Sequence, residues 1–244
     1  MADSILLADL SVIERTRVPL DATPGPPRDG LQFRGLKWLL AKLPEGFATV
    51  LKGLPPATGD YQFVENFDMQ TQCYTYWCWA AVASSIAKYF NSSSTCQQCT
   101  IANYQLNRND CCSHPCHVPN LPYDQPSNLS LALEFVDCID GAVSTEKPEL
   151  AVVQAQITRK KPVAVRIVWG DPQAAEDSRN GAHFVVIVGF LPGTNRVAIK
   201  DPASGNRIRY DIDYENFPDN GHYNTKAKWG NTYYTKAGYK NCAP

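Results

Sequence analysis

Apolar spacing changes character once along this chain, and that change limits the folds open to it. Between residues 78 and 159 apolar residues recur at helical intervals; from residue 162 they come in short runs rich in Val, Ile and aromatics. Trp79, Val82, Ala83, Ile86, Ala87 and Phe90 form an i, i+3, i+4, i+7 stripe that ends at Asn91 and a serine run. Ala80, Ala81, Ser84 and Ser85 are small enough for other elements to approach, so this helix is expected inside its domain, buried on more than one side. Further helices are expected over 99–106, over about 128–139 with Ser127 or Ser130 as cap, and from Pro148, a favoured first helical position, to about 159. Strands are expected at 162–169, 182–190, 196–200 and 207–211, with a last one around Trp229 and Tyr233-Tyr234. The segments 191–195 (LPGTN) and 203–206 (ASGN) supply turns. Helices first and an antiparallel sheet second make an α+β domain, with a cleft between a helical half and a sheet half. No internal repeat is evident.

With 244 residues the chain holds one large domain, or a domain with an appendage. Its net charge of −1, from 23 basic and 24 acidic residues without a basic block, gives nucleic-acid binding no electrostatic support. Nor does any stretch approach the roughly 18 apolar residues of a membrane helix, so neither nucleic acid nor membrane is expected as a partner. Residues 1–20 lack a basic start, a long apolar run and a small-residue cleavage site, and so do not read as a signal peptide. Residues 1–60 differ from the rest. Two Pro/Gly-rich stretches, 19–30 and 53–60, flank Leu36, Leu39, Leu40 and Leu43 at helical spacing with Arg34, Lys37 and Lys42 among them. This is an N-terminal extension carrying one amphipathic helix, either a plain linker or a propeptide or docking arm over a cleft. The expected domain is 61–244.

Chemistry enters with Gln72 and Cys78, six residues apart and just before the interior helix. A cysteine opening a helix meets unsatisfied N–H groups and the positive end of the macrodipole, which favour a thiolate. A glutamine in the preceding loop can reach back to donate an N–H to an oxyanion. His183 opens the most apolar strand, in GAHFVVIVG, where Gly181-Ala182 keeps the start of the strand uncrowded. An imidazole within reach of a thiol forms an ion pair and then serves as general acid. Asp201, before Pro202, lies 201 − 183 = 18 residues later at the end of the next strand. If the turn at 191–195 joins antiparallel neighbours, that carboxylate returns beside His183 and can fix its tautomer. Plainer readings are a core histidine and a turn aspartate; the company of Cys78 and Gln72 outweighs them. His222, in DNGHY, is the rival base but reads as a surface turn, and Asn195 is the rival orienter but points away in the hairpin turn.

Taken in order, Gln72…Cys78-Trp79-Ala80, Gly181-Ala182-His183-Phe184-Val185-Val186 and Asp201-Pro202 resemble the papain-like cysteine peptidases. The likeness is greatest to the bacterial branch of bacteriocin-leader peptidases and plant-pathogen effector proteases, where aspartate replaces the plant enzymes' asparagine. It spans roughly residues 65–240 and leaves 1–60 unexplained. It implies a papain-like fold, with Cys78 as nucleophile, His183 as base and acid, Asp201 as orienter, and Gln72 with the Cys78 backbone N–H as oxyanion hole. Trp79 is then expected beside the cleft. A protein or peptide substrate, a monomer and no cofactor follow from the same likeness. Cys73, directly after the glutamine, and a dense cysteine insert depart from the plant pattern. Two other functions remain open: acyl transfer or deamidation by the same triad, and a non-catalytic binding module on this scaffold.

Setting Cys78 aside leaves Cys73, Cys96, Cys99, Cys111, Cys112, Cys116, Cys138 and Cys242, an even set that favours disulfides and an exported protein. The insert is then stapled, with pairing to Cys73 or Cys138. Structural zinc on Cys96, Cys99 and the group Cys111, Cys112, His114, Cys116 and His117 is the first alternative, and free thiols are the second. Zinc is disfavoured because adjacent cysteines rarely both face one metal, and no metal is expected. No thioredoxin-like βαβ pattern surrounds Cys96-x-x-Cys99.

Overall fold

A computed structural model of the chain describes residues 60–113, 128–169, 181–219, 223, 227–238 and 240–242. All of them fall in the unit Gly53–Pro244. The expected extension over 1–60, except Asp60, lies outside the described residues, as do His114, Cys116, His117 and His222.

Strand β1 (Gln62–Phe63) is followed by helices α1 (Cys78–Phe90), α2 (Gln98–Gln105), α3 (Leu129–Phe135) and α4 (Leu150–Thr158). A short 3-10 turn at Cys111–Ser113 sits between α2 and α3. Strands β2 (Val163–Trp169), β3 (Ala182–Phe190), β4 (Arg196–Lys200), β5 (Ile208–Asp213) and β6 (Ala227–Tyr233) complete the domain. The sheet runs β5-β4-β3-β2-β6, antiparallel at every pairing, with β1 added to β3 off this path. Helices precede sheet, as the change in spacing predicts. Among the described residues, no helix is long and apolar enough to cross a membrane.

Helix α1 is the interior helix. Every residue from Cys78 to Ala87 is buried, and the helix packs on α2, α3 and β3. Two serines survive in that environment because their hydroxyls are satisfied. Ser84 Oγ donates to the Cys96 carbonyl at 2.8 Å and Ser85 Oγ to the Ala81 carbonyl at 2.6 Å. Both also accept from Gln70, through its Nε2 and its backbone N–H, each at 2.9 Å. The loop leading into α1 is thereby fastened to the helix it precedes.

The element boundaries differ from expectation in places that have local causes. Helix α3 stops at Phe135 rather than near Ile139, because Asp137 takes a left-handed φ of 58°. The Cys138 N–H then closes on the Leu133 carbonyl at 2.8 Å, and Ile139 pairs instead with Thr235. Its cap is neither Ser127 nor Ser130 but Asn128, whose side chain accepts from the Ser130 N–H at 3.0 Å. Strand β5 runs on to Asp213, and β1, two residues long, is too short for any periodicity to announce it.

The cysteines only partly follow the even-set expectation. Cys96 pairs with Cys242, Cys99 with Cys112, and Cys73 is also disulfide-bonded. Cys111 and Cys138, expected in disulfides, are free thiols instead. At 1% and 0% exposure they pack as small apolar groups, Cys138 beside Gly238, whose Cβ position lies only 2.8 Å from its Sγ. Cys96 and Cys99 sit in separate disulfides, so neither is available as a zinc thiolate.

Candidate active site

Two indoles anchor the start of α1. Trp77 and Trp79 are fully buried on either side of Cys78, and the Trp77 N–H closes a turn onto the Tyr74 carbonyl at 3.0 Å. Trp79, expected beside the cleft, is fully buried. No side chain caps α1. The Cys78 backbone N–H, at the first helical position, donates to no acceptor among the described residues. Its thiol is free and buried.

The sheet supplies the partners. Strands β3 and β4 pair with Val186 opposite Lys200 and Ile187 opposite Ile199. Continuing that register sets Asp201 opposite Val185, diagonal to His183 and on the same face. His183 Nε2 and Asp201 Oδ1 are 2.7 Å apart, and the carboxylate is almost wholly buried. The same oxygen accepts the Ala203 N–H at 2.8 Å, while Arg209 Nη2 stands 3.7 Å from Oδ2. With Nε2 engaged, the other ring nitrogen is left for the Cys78 thiol, which lies close enough to raise the His183 pKa. Burial alone would depress the imidazole's pKa. The hydrogen bonds to Asp201 and Cys78 overcome that penalty and raise it from 6.5 to about 10. For Asp201 burial works to raise the pKa, but the bond to His183, the Ala203 N–H and the Arg209 charge hold it below its ordinary value. The imidazole therefore keeps its proton, and the carboxylate its charge, through neutral pH.

Two rings lie near the imidazole. Trp169 lies near parallel to His183 with centroids 6.4 Å apart, and Tyr223 is tilted at the same distance. The Trp169 indole N–H donates to the Tyr223 carbonyl, linking the two. Gly181 does not leave the start of β3 uncrowded, as the sequence suggested. Its missing side chain makes room for the Trp169 ring, 3.2 Å from where a Cβ would stand. Trp169, Tyr223 and Arg209 carry no motif that would have marked them in the sequence; only the tertiary fold brings Trp169 and Tyr223 to His183 and Arg209 to Asp201.

Gln72 is tied to its own loop. Its Nε2 donates to the carbonyls of Tyr74 at 2.9 Å and Thr75 at 2.6 Å, and its Oε1 is buried without a partner. Both amide hydrogens are thus engaged in this conformation. Its backbone N–H donates to the Pro202 carbonyl at 2.9 Å, so the loop before Cys78 is fastened to the loop after Asp201. Gln98, buried in α2, clamps the same segment by accepting the Cys73 N–H at 2.9 Å and donating to the Thr71 carbonyl at 2.9 Å. That residue went unread in the sequence, where nothing separates it from other helical glutamines. Gly205 completes the junction. It has a φ of 61°, and a Cβ there would lie 2.5 Å from Thr71 Oγ1. We expect Gly205→Ala to destabilise the domain by about 1–2 kcal/mol through its left-handed backbone alone. Urea midpoints with unchanged slope would measure it, and a neutral result would mean the junction yields freely.

Asn195, the rival orienter, donates from Nδ2 to Asp213 at 2.8 Å in the β3–β4 hairpin and takes no part in this cluster.

The sequence profile of the Peptidase_C39 like family matches residues 64–237. The chain belongs to this family of cysteine peptidases, and its helices and antiparallel sheet form the papain-like arrangement. Among solved structures, it is similar to a protein described as a C39-like peptidase from Bacillus anthracis. That match has 14% identity and a TM-score of 0.44, covering 74% of this chain and 100% of the other. It is also similar to Xylellain, a cysteine protease from Xylella fastidiosa, at 12% identity and a TM-score of 0.42, covering 76% of this chain and 88% of the other. No match was found among curated proteins.

Proposed function

We propose that the chain is a cysteine endopeptidase in which Cys78 is the nucleophile, His183 the general acid and base, and Asp201 the group that orients His183. The observation that carries this reading is the placement of one imidazole between a buried thiol and a buried carboxylate, with the 2.7 Å bond on its Asp201 side. Cys78 Sγ attacks the scissile carbonyl carbon, and the His183 imidazolium gives its proton to the departing amine as the C–N bond breaks. The thioester is then attacked by water, His183 takes a proton from that water, and the acid product leaves as the thiolate is restored. The Cys78 backbone N–H is one donor for the oxyanion of both steps.

Gln72 is the second donor, and to serve it must give up one of its two loop bonds when substrate binds. Gln72→Ala is expected to lower kcat by about 10²–10³, the usual cost of one oxyanion donor. Equal rates in Gln72→Ala and wild type would assign the second donor elsewhere.

Incubating the protein with peptides in H₂¹⁸O tests the reaction type. Hydrolysis of a peptide bond places ¹⁸O in a new C-terminal carboxylate. A mass gain confined to glutamine side chains would make the protein a deamidase, and a ligated product would make it an acyl transferase. Residues 1–60, read as a propeptide or docking arm, would then be examined by comparing the rate of the full chain with that of 61–244.

A further inference from the structure

The sheet carries a second polar feature beside the Cys78–His183–Asp201 cluster. A pocket of about 270 Å³ is lined by Asn128 and Ser130 at the start of α3, by Val143, and by Arg166, Phe184 and Asn231 on β2, β3 and β6. Its walls come from the same two halves as the proposed active site, because α3 packs on α1, which bears Cys78, and Phe184 follows His183 on β3. Arg166 is the register partner of Phe184, and Ile167 that of His183. Phe184 of the pocket and His183 are therefore neighbours along β3, about 3.4 Å of rise apart, with their side chains on opposite faces of the sheet. The volume lies just below the ~300–1,000 Å³ usual for whole small-molecule ligands and suits a single side chain.

Its lining offers donors and no acid. Arg166 is half-buried, yet it makes no ion pair among the described residues, and its guanidinium has one weak partner, Asn231 Oδ1 at 3.4 Å. Since Oδ1 faces Arg166, the amide of Asn231 is left as a further donor. A guanidinium has five N–H groups in a fixed fork that matches a carboxylate. The β2–β6 register shifts between Arg166 and Ile167, leaving Gly230 unpaired as a bulge. A Cβ at Gly230 would lie 2.5 Å from Val168 Cγ2 and 3.4 Å from the Arg166 stem. Such a bulge bends β6, the strand that carries Asn231.

We propose that this pocket binds a carboxylate of the peptide substrate close to the scissile bond, with Arg166 as the specificity-determining residue. The inference rests on the peptidase reading and names its substrate class: peptides with an acidic side chain, or a free C-terminus, held next to the cleaved bond.

Binding separates the two claims because it requires no turnover. Cys78→Ala protein is titrated with fluorescent octapeptide amides in which one position at a time is Glu, Gln, Leu or Lys, and with Gln peptides ending in a free acid. At one position Glu should bind at least about tenfold more tightly than Gln, the scale of a hydrogen bond to a charged group. Arg166→Gln should collapse that ratio towards one, and Arg166→Glu should turn the preference to Lys, a gain that misfolding cannot produce. If the free acid rather than internal Glu confers tight binding, the carboxylate held is a chain end. Equal binding of Glu and Gln at every position, or a preference that survives Arg166→Glu, overturns the proposal. Cleavage by wild type without any acidic preference would overturn it while leaving the peptidase reading intact. Acid-selective binding that depends on Arg166, without cleavage of any peptide, would keep the pocket and remove the peptidase.

Discussion

Cys78→Ala is expected to abolish turnover, with a loss of at least about 10⁴-fold, and His183→Ala to do nearly as much. Residues that act as one unit lose almost everything when either is removed, so the double variant should be little worse than the singles. The thiol can be followed without a substrate. Limiting iodoacetamide on native, non-reduced protein should alkylate Cys78 faster in wild type than in His183→Ala. Cys111 and Cys138 should stay unlabelled. They are buried, and burial raises both pKa values, that of Cys138 to about 11. Peptide mass spectrometry would locate the label. Labelling of Cys78 at the same rate in wild type and His183→Ala would dispose of the thiolate–imidazolium pair.

Asp201→Ala should lower kcat/KM by about 10²–10⁴, because the imidazole loses the group that fixes its orientation and tautomer. It should also change how stability depends on pH. The pKa of His183 is raised from 6.5 to about 10 in the folded protein, so its contribution is fully present below pH 6.5 and is lost as pH rises towards 10. The pKa of Asp201 is lowered from 3.8, so its contribution is present above pH 3.8 and is lost as pH falls through the folded value. Wild type should therefore exceed Asp201→Ala most between about pH 4 and 6.5, with the gap narrowing on both sides. Urea unfolding across pH reads this directly, and a gap that stays constant from pH 4 to 10 would contradict it. The activity of wild type should fall on the alkaline side as His183 loses its proton near pH 10.

Much of this was legible in the chain because it is local. Cys78 at the head of an apolar stripe, and His183 and Asp201 on strands joined by a short hairpin, need only periodicity and turn chemistry to be placed. β4 matched residue for residue, since its Val and Ile are bounded by turn residues at both ends. The misses are of another kind. Asp137 ends α3 by adopting a left-handed φ that its residue type allows without announcing. Counting cysteines could not tell that Cys111 and Cys138 would be drawn into the core as apolar groups. Nor could it tell that the Gln72 amide would turn to the carbonyls of its own loop.

The sequence alone determined the order of helices and strands and the residue types that can support a thiol, an imidazole and a carboxylate in one reaction. Those follow from spacing along the backbone, which any reader of the chain can measure. Tertiary structure decided what meets across long separations. Trp169 and Tyr223 come near His183, Gln98 clamps the loop that carries Gln72, and Arg166 lines a pocket shared with the start of α3. Such contacts depend on how the sheet twists and how helices pack on it, and side chains at that remove leave no periodic trace.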